Sequence, residues 1–169
     1  MANSFYTAYQ AVFSAVKAVL DYVPAVPGVP GVPAHEGEPE IPEVPEVPAS
    51  GVAKTVFVGE NFALTPDTPV ILIDTSSSPI APLEMGSALD VTVRMNLLVL
   101  VRESAPADWF EGIIDVMGDV VDAILADRTL NGAVQDIYPT NFAPGSIMYR
   151  GKTFYGGQVT LEGVLFFEP

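Results

Sequence analysis

Between Ala107 and Gly132 nine apolar side chains recur at three- and four-residue intervals, which fixes one long helix in the middle of the chain. Trp109, Phe110, Ile113, Ile114, Met117, Val120, Val121, Ile124 and Leu125 gather on one helical face. Glu111, Asp115, Asp119 and Asp122 keep the same spacing on the opposite face, so an acidic stripe is expected to look outward. Pro106 is tolerated just before or within the first turn, and Asp108 places an acid at the positive end of the helix. Asn131-Gly132 can supply the left-handed residue that closes the helix or the turn after it. β-rich sequence lies on both sides of this run.

Residues 3–23 predict a second helix, capped by Asn3 or Ser4. Phe5, Tyr9, Val12, Val16 and Val19 form one stripe, with Tyr6, Phe13 and Leu20 beside it. Only Lys17 and Asp21 are charged, so this helix must be buried against its own domain or against a neighbouring copy.

From Pro24 to Pro48 the character of the chain changes. Pro24, Pro27, Pro30 and Pro33 repeat every third residue, and Pro39, Pro42, Pro45 and Pro48 resume the step. A polyproline II helix has three residues per turn, so the prolines share one edge, the valines and Ile41 a second, and Glu40, Glu43 and Glu46 the third. No hydrogen-bonded ladder is open to such a segment. Residues 24–50 therefore read as a semi-rigid arm or long loop within a single domain spanning 1–169. It is an extended insertion, a ligand for a proline-recognising groove, or a strap along a neighbouring subunit, with Val44 and Val47 as contact candidates. Gly28 and Gly31 do not continue as every third residue, which excludes collagen.

Lys54 to Val58 and Pro69 to Asp74 predict short strands, and Ser76-Ser-Ser-Pro an exposed loop. Ala88 to Arg102 carries the strongest strand pattern. Val91, Val93, Met95 and Leu97 alternate with Asp90, Thr92, Arg94 and Asn96, and from Leu97 to Val101 both faces become apolar. At ~3.3 Å per residue such a run spans roughly 50 Å, so it is unusually long or breaks near Asn96. Asp136 to Ser146 reads as loop, punctuated by Tyr138-Pro139 and Ala143-Pro144-Gly145. Ile147 to Tyr155 and Gln158 to Phe167 then predict a hairpin turning at Gly156-Gly157. The order implies an α+β fold: an antiparallel or mixed sheet with an N-terminal helix and one central amphipathic helix packed on it.

With 169 residues, nearly half of them hydrophobic, the chain can bury a working core. It has no cysteine, which removes disulfides, thiol catalysis and thiolate metal sites. No charged-then-apolar leader opens it and no apolar run approaches a membrane span, so a soluble, non-secreted protein is expected, with no membrane partner. The net charge of -14 disfavours specific binding to nucleic-acid phosphates. The single histidine, His35, lies in the proline arm among Glu36, Glu38 and Glu40, a poor preorganised cage for a metal. No nucleophile elbow, phosphate-binding loop, dinucleotide fingerprint or zinc-protease motif occurs, and Asp67 to Asp74 lacks the ligand spacing of a calcium loop. Neither an enzyme nor a cofactor is expected. Trp109, alone of its type at a helix start, is either a core anchor or a contact anchor.

Three patterns together resemble the tail terminator, or tail completion, proteins of long-tailed bacteriophages. They are the long strand VTVRMNLLVLVRE before a Pro- and Ala-containing break, the helix closing as DAILADRTLNGAV, and the final β-pair GKTFYGGQVTLEGVLFFEP. An N-terminal helix followed by PVILID fits the same order, whereas the proline arm has no counterpart in the family and would sit in its variable region between that helix and the sheet. The resemblance implies a virion structural protein, made in the host cytoplasm. Six copies would form a ring that caps the tail tube protein, stops its polymerisation and meets the head-completion or connector protein. In such a ring Phe5, Tyr9, Phe13, Val44, Val47 and Trp109 are candidate subunit contacts. Glu111, Asp115, Asp119 and Asp122 would face the channel, letting DNA pass without adhering, or else the outer solvent. Another head–tail connector or neck ring, or a non-catalytic interaction module using the proline arm as its ligand, stays open beside this reading.

Overall fold

The computed structural model describes residues 5–21, 24–25, 49, 51–53, 55–58, 69–75, 79–82, 89–102, 109–149 and 151–167. In chain order the elements are α1 (Phe5–Leu20), β1 (Thr55–Val58), β2 (Val70–Thr75), β3 (Ile80–Pro82), β4 (Leu89–Arg102), α2 (Trp109–Ala126), β5 (Asp136–Tyr149) and β6 (Lys152–Phe167). The strands form one mixed sheet in the order β1-β2-β4-β6-β5, with short β3 paired to the start of β4. β1 and β2 run parallel, and every other pairing is antiparallel. Both helices cover one face of it, which makes a two-layer α+β fold. Neither is long and apolar enough to cross a membrane.

β4 is continuous through Asn96. A polar residue in mid-strand is accommodated because the Asn96 side-chain oxygen accepts hydrogen bonds from Gln158 Nε2 and Thr160 Oγ1, each at 3.0 Å. The alternation predicted for this strand holds. Val91, Val93, Met95, Leu97 and Val99 are buried toward the helices, where they meet Ile113, Met117, Val120 and Ile124 of α2 and Val12, Phe13, Val16 and Leu20 of α1. At the far end of the sheet a smaller cluster, Val70, Leu72, Leu100 and Phe154, occupies the opposite face. That cluster is the two-sided apolar end expected from Leu97 to Val101.

Two expectations for the last third of the chain are corrected. The stretch from Asp136 to Ser146 is strand, not loop. Pro139 and Pro144 fit there because β5 is an edge strand, where a missing N–H forfeits no obligatory ladder bond. A bulge between Pro139 and Asn141 absorbs one residue and scrambles the period-two pattern. The turn lies elsewhere too. Tyr149 pairs with Lys152, and Gly151 takes the left-handed conformation at φ 78°. Gly156 and Gly157 are in mid-strand for lack of room. A Cβ at Gly156 would overlap the Val99 carbonyl oxygen, and one at Gly157 would overlap the Met117 side chain.

α2 ends at Ala126, one residue past the last apolar residue of its period, Leu125, and before Asn131-Gly132. The Asp127 carboxylate competes for the backbone, accepting from Thr129 N–H at 3.0 Å, Thr129 Oγ1 at 2.7 Å and Asn131 N–H at 2.6 Å. Leu130, Asn131 and Gly132 then run left-handed in succession, at φ 49°, 56° and 83°. Leu130 holds this costly conformation while its side chain is buried in the core. Arg128 pairs with Asp136, which ties the turn to the start of β5.

Candidate interaction surface

Burial on α2 is narrower than its apolar content. Ile113, Met117, Val120 and Ile124 are fully buried, and they form one ridge at i, i+4, i+7 and i+11. Phe110, Ile114 and Leu125, predicted on the same buried face, are exposed, and Val121 is half-buried. At 100° per residue these four lie roughly 80° round the axis from the core ridge. Glu111, Asp115, Asp119 and Asp122 come next and are all exposed. The helix thus carries three stripes: a core ridge, an uncovered apolar stripe and an acidic stripe.

The uncovered stripe runs beside the open edge of the sheet. Gly118, Val121 and Asp122 of α2 and Pro139, Thr140, Asn141 and Phe142 of β5 enclose a groove of about 400 Å³. Phe142, 42% exposed, stands on the helix side of β5 opposite buried Val159. Two prolines and a bulge keep this edge from offering a continuous ladder to another strand. What it presents is side chains: apolar, rimmed by the α2 acids.

The opposite edge of the sheet is β1, and it carries a second groove. Tyr6, Tyr9, Gln10, Phe13 and Ser14 of α1, with Val58 and Thr75, line about 460 Å³. Tyr6 is 67% exposed and Val58 48%. The expectation that α1 is buried holds for one face only, since Tyr6, predicted beside the buried stripe, points to solvent.

Among the predicted contact residues, Phe13 is 6% exposed and belongs to the core cluster, with an edge lining the Tyr6–Val58 groove. Phe5 and Tyr9 are half-buried. They stack on each other at 5.8 Å, Tyr9 meets Phe13 at 5.2 Å, and Phe5 packs edge-on against Phe167 at 5.6 Å. This aromatic row fixes α1 on β6. Val44, Val47, His35 and the side chain of Trp109 lie outside the described residues.

The base of the proline arm is within them. Val52 and Ala53 N–H both donate to the Leu20 carbonyl at 3.0 Å, and Asp21 bridges to Ala53. Pro24 and Ala25 on one side and Ala49 and Gly51 on the other are exposed. Both ends of the arm are therefore pinned together at the end of α1, next to β1.

Across the helix-free face, Arg94 pairs with Glu162 at 2.9 Å, and Tyr138 donates to the same carboxylate at 3.4 Å. Among the described residues no three His, Asp or Glu gather to hold a metal, and no charged or polar side chain is buried. Asp127 is displaced in its titration. The Thr129 hydroxyl first, then the backbone N–H groups of Asn131 and Thr129, hold its carboxyl below the usual range.

Sequence reasoning missed Phe142, Tyr6 and Val58 as surface groups. The bulge hides the alternation around Phe142. Tyr6 differs from the buried aromatics only by its angle on the helix. No protein-family model matches the chain, and no curated protein matches it in sequence.

Proposed function

We propose that this chain is a virion structural subunit of the tail terminator kind, closing head-to-tail into a six-membered ring that caps a tail tube. The observation that carries the reading is the pair of unlike apolar edges. One flank presents the α2–β5 groove, the other the Tyr6–Val58 edge, and they stand at opposite ends of the sheet. A ring needs a heterologous contact in which two different patches of one subunit meet neighbours on either side. A twofold dimer would need one self-complementary patch instead.

The resemblance in β4, the α2 closure and the last β-pair supplies the tail-tube role, and the two-layer α+β fold has the expected element order. The acidic stripe borders the α2–β5 groove without entering the core. In a closed ring it lines the channel or the outer wall, and a negative channel wall repels DNA phosphates.

Electron microscopy of the chain mixed with polymerising tail tube protein tests the role. Rings seated on tube ends, with elongation stopped, are the expected result. Tubes that elongate unchanged and carry no rings would remove it.

A further inference from the structure

We infer that the uncharged first limb of the proline arm, residues 26–34, docks into the α2–β5 groove of the neighbouring copy. The inference rests on the ring reading and adds the occupant of the groove.

Four observations meet here. The arm is anchored at its two ends by the Leu20–Ala53 hydrogen bonds and the Asp21–Ala53 bridge, beside the β1 edge. The stretch between these anchors is residues 22–52, and its two ends are adjacent. At ~3.1 Å per residue in polyproline II geometry, half of it reaches about 46 Å from its base. The five-strand path of the sheet is about 19 Å wide at ~4.8 Å per strand. In a head-to-tail ring the neighbour's β5 edge adjoins this subunit's β1 edge, whereas its own groove lies across the full sheet. Reach therefore permits either groove, and proximity favours the neighbour's.

Charge selects the limb. From Tyr22 to Ala34 the sequence YVPAVPGVPGVPA has no ionisable side chain that is charged at neutral pH. From Glu36 to Glu46 there are five glutamates. The groove is rimmed by Asp122, with Asp119 and Asp115 next on the helix, so the second limb is repelled and the first is not. Chemistry suits the lining. A proline-rich segment needs no ladder from its receptor and binds aromatic and apolar surfaces through proline and valine side chains. Phe142, Pro139 and Val121 supply such a surface, on an edge whose prolines and bulge disfavour strand addition.

The chain has no cysteine, so introduced pairs report cleanly. The 169-residue chain carrying Val29→Cys is mixed with a size-tagged Phe142→Cys chain and mildly oxidised, with Val44→Cys replacing Val29→Cys as the comparison. Asn141→Cys, also exposed in the groove, serves if Phe142→Cys folds poorly. The expected result is a covalent pair of about 36 kDa plus the tag, from chains of 17.9 kDa, formed with Val29→Cys and lost with Val44→Cys. A native hexamer that gives no Val29–Phe142 product overturns the docking and leaves the ring standing. A protein that stays monomeric, gives no product and caps no tail tube overturns both. A dilute Val29→Cys/Phe142→Cys double variant that closes on itself as a monomer overturns the docking in favour of the chain's own groove.

Discussion

Met117 of α2 lies against the bare backbone of Gly157 in β6, its sulfur standing where a Cβ would project. The contact sets how closely the central helix approaches the sheet, and so where its uncovered stripe stands relative to β5. Gly157→Ala should lower stability by ~1–3 kcal/mol through overpacking. Because the Ala143 carbonyl oxygen is also near, at 2.6 Å from the added carbon, shortening Met117 should recover only part of the loss. Urea denaturation of Gly157→Ala, Met117→Ala and the double variant measures this. Strict additivity of the two losses would contradict the contact.

The turn after α2 should report on acid. Asp127 is held below the ordinary carboxylate range by the Thr129 hydroxyl and by the N–H groups of Asn131 and Thr129. A depressed folded-state value means that the contribution is present above the unfolded value, near 3.8, and is lost as pH falls through the folded value. Carboxyl titration by NMR should place Asp127 below that reference. Thr129→Val should move it back upward, since the hydroxyl hydrogen bond that lowers it most is gone. An unchanged midpoint in that variant would mean that the backbone donors alone set it.

A head-to-tail contact makes a prediction that a twofold contact does not. Phe142→Asp blocks one flank and Tyr6→Asp the other, and each variant alone should fail to form rings. Mixed in equal amounts, they retain one intact pair of flanks and should give a heterodimer of about 36 kDa that grows no further. Both positions are exposed, so far-ultraviolet circular dichroism should match the unsubstituted chain. Two variants that remain monomers when mixed would rule out this pair of surfaces.

The acidic stripe can be reversed without touching the core. Asp115→Lys/Asp119→Lys alters two exposed side chains, and stability should move by no more than ~0.5 kcal/mol per site. If the stripe faces the channel, rings of this variant should retain double-stranded DNA at low salt and release it as salt rises. Rings of the unsubstituted chain should retain none. Equal behaviour of the two would place the stripe on the outer wall.

Much of the fold was legible in the residues, for reasons that particular elements make plain. Val91 to Val99 alternate without interruption because one face of β4 meets both helices, so the period survived into the structure. α2 was legible as a helix, but its burial was not: nine apolar residues suggested one broad buried face, and of the eight whose side chains are described four form the core ridge. Sequence period gives the angle of a residue on the helix, not whether a neighbour covers it. Gly156-Gly157 misled because a glycine pair serves a turn or a close approach equally well, and here Val99 and Met117 come close. β5 stayed hidden because prolines and a bulge, devices of an edge strand, imitate loop sequence. The predicted acidic residues are exposed as expected, Phe13 is mostly buried beneath the Tyr6–Val58 groove, and Phe142 is a surface aromatic that the bulge concealed.

Native mass at high and low protein concentration decides whether the chain closes into a ring. The expected result is a closed species of about 107 kDa, six chains of 17.9 kDa, in equilibrium with smaller species on dilution. A dimer that never grows, or a monomer at every concentration that also leaves tail tubes uncapped, would contradict a head-to-tail ring.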